Sequence, residues 1–167
     1  MPTKVNLNLP ASLWTARDSA RLASDTLAAV KIRTTRGIDA NGQPFKGYST
    51  EPIYVAKRGA RLAPKGGEPT PSGKSVYYEG GYRQYKHDSR RRATLAGTAE
   101  VDLTLSGDMM NNLVVKEATA KGFTIGLTRH AGYGYYVNED REFLGLTSQD
   151  VETITEAVAL ELRRKIQ

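Results

Sequence analysis

Apolar side chains recur at steps of three and four along Leu13, Ala16, Ala20, Ala23, Leu27 and Val30, and this spacing predicts a helix over 12–32. Ser12 is its expected N-cap, since a hydroxyl there accepts an orphan backbone N–H, and Gly37 ends it. Most of the stripe is Ala, a face that buries little area but lets another element approach closely. A second periodic stretch closes the chain. Thr147-Ser148-Gln149-Asp150 opens it with Thr147 or Ser148 as cap, and Val151, Ile154, Val158 and Leu162 form its stripe. Asp150 and Glu152 lie in its first turn and Arg163, Arg164 and Lys165 in its last, which complements the helix dipole.

Between the two helices the period shortens. Strands are predicted at 52–56 (PIYVA), 101–105 (VDLTL, strictly alternating), 113–118 and 122–128, the last two joined by a turn at Ala120-Lys121-Gly122. Asn41-Gly42 followed by Pro44 is a turn signal. Ser106-Gly107-Asp108 opens a short helix through Met109, Met110 and Leu113, and 82–92 is predicted helical with Tyr82, Tyr85 and Ser89 on one side. Residues 131–138 fit either helix or strand. Arg58 to Ser75 holds four glycines and three prolines, so it is either a long loop or the tip of an extended hairpin.

Composition narrows the picture. The 167 residues suit one domain, 1–167, within which 57–80 is expected to be a flexible or extended arm. There are no cysteines, which excludes disulfides, a thiol nucleophile and Cys-ligated metals. No apolar run is long enough for a membrane span, and Met1–Pro10 has no apolar signal core, so the expectation is a chain that stays in a reducing cytosol or an assembly built there. The net charge of +6 is local. Residues 57–92 hold ten bases (Lys57, Arg58, Arg61, Lys65, Lys74, Arg83, Lys86, Arg90, Arg91, Arg92) against three acids, and the remainder is nearly neutral. Such a segment suits a polyanion or an acidic protein surface, or is simply a solvated loop.

Candidate chemistry is sparse. Gly67 to Ser75 has five residues between its glycines, where a phosphate-binding loop has four, and Pro69 and Pro71 remove N–H groups that such a loop would use. His87 and His130 are the two imidazoles, with no metal-ligand spacing between them, and no G-x-S-x-G is present. Asp102, Asp108, Asp140 and Glu142 are read as capping and surface acids in preference to Mg²⁺ ligands. No catalytic residue, cofactor or metal is assigned. Tyr82, Arg83, Tyr85, Lys86 and Arg90–Arg92 mix aromatics with bases, a combination that suits single-stranded nucleic acid or, by preference here, a protein interface. In Arg141-Glu142-Phe143-Leu144-Gly145-Leu146-Thr147, Phe143 and Leu146 are expected to anchor the start of the last helix. Gly145 would allow a tight approach or a positive φ, and Arg141 would pair with a carboxylate; the plainer reading is a core strand.

Three stretches together resemble the phage tail-completion and head–tail joining proteins, also called phage virion morphogenesis proteins. Asp39 to Phe45, with Gly42 and Phe45, is similar to that family's D-x-x-G-x-x-[WF] segment. Val101 to Met109, with Gly107, resembles its L-x-x-[ST]-G-x-[LM] strand-to-helix turn. Arg141 to Thr147, with Phe143, Leu144 and Gly145, resembles its R-x-F-L-G-[LI]-[ST] run before the last helix. Residues 59–75 and 83–92 look like an insertion relative to shorter members, and 131–137 lacks the usual His-x-x-Gly order. The resemblance implies an α+β subunit, a small mostly antiparallel sheet packed against an N-terminal and a C-terminal helix, with a long extended loop or hairpin arm. It implies no catalysis. It further implies a homo-oligomeric ring, a hexamer or dodecamer, in the virion neck or tail, assembled in the host bacterial cytoplasm. Its partners would be connector, tail tube or tail terminator proteins, with no membrane. Lys57, Arg58, Arg61, Arg83, Lys86 and Arg90–Arg92 would then face a neighbour or DNA in the lumen. The alternative is a sequence-independent nucleic-acid-binding protein using 83–92.

Overall fold

The chain order, in a computed structural model describing residues 2–10, 12–90 and 101–167, is as follows. Strand β1 (Thr3–Asn6) precedes helix α1 (Ala16–Thr35); strands β2 (Ile53–Ala56), β3 (Glu68–Pro69) and β4 (Ser75–Tyr78) lead into α2 (Gly81–Ser89). Then come α3 (Asp108–Asn111), β5 (Leu113–Thr119), β6 (Gly122–Leu127), a 3-10 turn (Arg129–Ala131), α4 (Gly134–Asp140) and α5 (Ser148–Ile166). The architecture is α+β, as the pattern of elements predicts, but with two small antiparallel sheets in place of one: β1-β6-β5 in a body and β2-β4-β3 in an arm.

The body is built around β6, the central strand, whose Phe123, Ile125 and Leu127 are fully buried. Helix α1 lies against β5 and β6, and α5 packs on α1. The α1 helix begins later than the apolar spacing suggests. Thr15, not Ser12, is the cap: its hydroxyl accepts from Asp18 N (3.3 Å) while its own N–H donates to the Asp18 carboxylate (2.8 Å). This reciprocal pair satisfies two donors, whereas Ser12 sits in a turn closed onto the Pro10 carbonyl by Leu13 and Trp14.

The buried face of α1 is also rotated from the Ala stripe. It consists of Ser19, Leu22, Ala23, Thr26, Val30 and Thr34, and Ala16 and Ala20 face solvent. The hydroxyls are tolerated because each is satisfied: Thr26 and Thr34 donate to the carbonyls of Leu22 and Val30 (2.7 Å each), and Ser19 accepts from the indole N–H of buried Trp14 (2.8 Å).

The Gly- and Pro-rich stretch joins β2 to β4 in a hairpin arm. Strand β2 pairs with β4 in register, Ile53 opposite Tyr78, and β3 adds a two-residue edge. Pro69 is accommodated there because an edge strand can lose an N–H. Val76, Tyr78 and Tyr85 form a separate small core. The two tyrosines hold the loop by their hydroxyls: Tyr78 donates to Lys65 O (2.7 Å) and Tyr85 to Leu62 O (2.9 Å). Their rings pack edge to face at 5.4 Å.

Two further predictions need correction. Residues 101–105 are not a strand; Leu103 has φ 49° and Asp102 turns inward, its carboxylate accepting from Thr104 N (3.1 Å). Nor is 141–147 a strand: the N–H groups of Phe143 and Leu144 both donate to the Asn138 side chain (3.0 and 2.7 Å), which folds the run into a loop. The helix predicted over 82–92 ends at Ser89, with Arg90 extended; Arg91 and Arg92 lie outside the described residues. Helix α5 starts at the Thr147 cap with Asp150 completing a capping box, but of its stripe Ile154 is buried, Val158 and Leu162 half-buried and Val151 exposed. No helix among the described residues is long and apolar enough to cross a membrane.

Phe143 has no exposed surface. Phe143→Ala is expected to cost about 3–5 kcal/mol, because the site cannot collapse around the lost ring. A urea titration should show this as a lower midpoint with an unchanged slope.

Candidate functional site

Asp102 is the electrostatic centre of the arm–body junction. Its carboxylate takes the Lys86 ammonium on one oxygen and the Arg90 guanidinium (2.7 Å) on the other. Both cations come from the end of α2, so a body loop grips the arm helix from outside. Lys86 also donates to the Tyr48 hydroxyl, which in turn accepts from Leu103 N (3.1 Å). Burial pushes the Asp102 carboxyl up, but Lys86, the Thr104 N–H and Arg90 together outweigh it and hold it below the ordinary carboxylate value. Burial draws the Lys86 ammonium down to about 8 against the pull of Asp102. Lys86 is therefore no exposed base. It is 4% exposed and paired, which removes it from the set expected to face DNA or a neighbour.

The first and third family-like stretches meet in space. Gly42 turns at φ +78° as the Asn-Gly signal predicts, and Phe45 reaches the core. Ala40 N donates to Glu142 O (2.7 Å), and the Asn41 amide reaches the Glu142 carboxylate (3.3 Å). Gly145 serves close approach and not a positive φ: a Cβ there would lie 2.6 Å from that of Ala40. Among the described residues Arg141 pairs with no carboxylate; it donates to the carbonyls of Lys46 (3.2 Å) and Gly47 (3.1 Å), near the Tyr48 ring. Phe143 and Leu144 are buried and Leu146 half-buried.

Sequence reasoning missed Arg33. Its guanidinium pairs with Asp150 and donates to the carbonyls of Phe143 (3.0 Å) and Gly145 (2.9 Å), pinning the loop and the α5 cap to the end of α1. An Arg in the last turn of a helix was the available signal, but it reads equally well as a dipole partner.

Between arm and body opens a cleft of about 600 Å³. Tyr48, Tyr82, Tyr85 and Tyr133 wall it, with Arg61 and Arg141 as its cations. The third family-like stretch contributes Arg141, and the second contributes Gly107 (φ +90°), beside Met109. The Arg61 guanidinium stacks 3.6 Å above Tyr133. Burial raises the Tyr82 phenol, while Arg141 and Arg61 both pull it down.

The chain matches no protein-family model, no curated protein and no solved structure.

The remaining bases lie apart. Lys57, Arg58, Lys65, Lys74 and Arg83 are exposed over the arm, and Arg90 is half-buried on Asp102. The Gly67–Ser75 stretch is closed by its own bonds, Thr70 N to Ser75 O (3.1 Å) and Gly73 N to Thr70 O (2.8 Å). Those amides do not converge on an anion. Among the described residues no group of three or more His, Asp or Glu is placed to hold a metal ion.

Asp102→Asn is expected to destabilise by about 3–5 kcal/mol, since it strands the buried Lys86 charge. The double variant K86M/D102L should recover part of that loss in the same denaturation assay, the remainder being the Arg90 guanidinium left without its carboxylate. The pH dependence follows from linkage. The stability contributed by Asp102 is full above 3.8, its ordinary value, and drains away as pH falls through the lower folded value. Asp18, held at about 2 by Lys165 and Thr15, loses its share over the same fall. A pH titration of the melting temperature should slope downward below about 3.8 in the wild type and less steeply in K86M/D102L.

Proposed function

We propose that this chain is a structural ring subunit of a phage neck or tail terminus, completing the tail and joining it to the head connector. The observation that carries the reading is the spread of large apolar side chains left uncovered on both lobes: Ile32, Tyr54, Tyr136, Val151, Leu160 and Ile166 are 49–74% exposed. They are distributed over four elements, α1, β2, α4 and α5. Multiple contact faces suit a subunit with neighbours on each side. The arm supports the same reading. It has its own small core and projects a three-stranded sheet on which Tyr54 is 71% exposed.

The nucleic-acid reading rests on the exposed bases of the arm, without Lys86. It predicts DNA binding whose affinity falls steeply with salt.

Sedimentation velocity and negative-stain imaging test the proposal. The purified chain, alone or with connector or tail-tube protein, should form closed rings. A strict monomer at high concentration that fails to join either partner would defeat it. Low-salt DNA binding should be weak and uniform across sequences.

A further inference from the structure

The arm has two unlike faces. On its outer face Tyr54, Tyr77 and Glu68 stand in one row across the three strands, since Tyr77 is the register partner of both the others. The Tyr54 and Tyr77 rings pack at 5.0 Å, and Tyr54 is 71% exposed. Glu68, Tyr77 and Glu79 line one hollow of about 420 Å³, so this face is acidic and aromatic. No ion pair among the described residues involves Glu68 or Glu79.

The inner side of the same arm carries the opposite character. The cleft against the body is basic and aromatic, with Arg61 held on Tyr133 and Arg141 at its wall. No carboxylate among the described residues pairs with either guanidinium. The one acid of its lining, Asp108, is exposed and accepts from the Ser106 hydroxyl (2.7 Å). A cleft of this size at a junction between lobes, apolar in its walls with a few placed polar groups, has the character of a binding site.

We propose that the occupant of this cleft is a second copy of the chain: the Tyr54–Tyr77–Glu68 row of one subunit docks over the Arg61–Arg141 cleft of the next. Charge argues for it: Glu68 and Glu79, in no ion pair among the described residues, face one way, and Arg61 and Arg141 the other. Arg141 already donates to the Lys46 and Gly47 carbonyls, and the Arg61 guanidinium edge is unused by any carboxylate among the described residues. Planar guanidinium and carboxylate groups pair in a bidentate fork, and the tyrosines on both sides supply apolar area with little side-chain entropy to lose. The two surfaces lie on opposite faces of one arm, so the contact is heterologous. It repeats in one direction and closes only as a ring or runs on as a filament. The inference rests on the ring reading and names the contact that would build the ring.

A charge-swap cycle tests it. Glu68 and Arg61 are both exposed, so Glu68→Arg and Arg61→Glu leave the core untouched, and circular dichroism melting checks the fold. Sedimentation velocity is run on the full chain at a concentration where the wild type is assembled. Each single variant should weaken association about tenfold or more, through like charges brought together. The double variant E68R/R61E, which restores opposite charges across the contact, should recover most of it. Tyr54→Ala should weaken assembly to a degree that salt hardly changes. Wild-type rings with both single variants unaffected would overturn this contact and leave the ring reading standing. Loss in both singles without recovery in the double would overturn the Glu68–Arg61 pairing. A wild type that stays monomeric alone but joins rings with a connector or tail protein would overturn docking between copies, and one that joins nothing would end both.

Discussion

One buried carboxylate decides how the two lobes stand against each other. Asp102 receives Lys86 and Arg90 from the arm helix, and the Tyr48 phenol closes the circle through Lys86 and the backbone of Leu103. Desolvating three charges is expensive, and a well-packed apolar joint of the same shape would hold as firmly. What the charged joint supplies is geometry. A carboxylate with two oxygens and two directed donors ties the end of α2 to the 101–105 loop, and residues of both line the cleft between the lobes.

A second cation performs the same service at the far end. Arg33 reaches from the last turn of α1 to the carbonyls of Phe143 and Gly145 and to the cap residue of α5. The loop before the last helix is thus held by backbone acceptors and by Asn138, not by strand pairing. Its packing against Asp39–Phe45 has a plain physical basis: Phe143 fills the core, and Gly145 lets Ala40 come within contact distance.

Much of the fold was legible in the sequence. The two long helices, the 113–127 hairpin and the Asn-Gly turn follow from spacing and turn chemistry, because each is a local effect. The offset of α1 was not, since Ser19, Thr26 and Thr34 are polar by type and buried by virtue of bonds that composition does not display. Alternation at Val101–Leu105 misled for a similar reason. Asp102 occupies an expected outward position yet turns inward, because its partners lie on α2, more than ten residues earlier. The basic run looked uniform in one dimension; in three, Lys86 is sealed in while Arg61 and Arg83 face solvent. Long-range ion pairing is invisible to periodicity, and so was the cleft beside it.

The chain has a single tryptophan, and Trp14 is buried at the foot of α1, its indole bonded to Ser19 and near the Lys165 ammonium of α5. The arm contains tyrosines alone as fluorophores. Indole emission from this protein is consequently a private signal of the body, and the arm can loosen or dock without disturbing it. Tyrosine emission is shared between the lobes, since Tyr135 and Tyr136 lie on α4 of the body, so it is indole emission excited at its red edge that reports the body without a label.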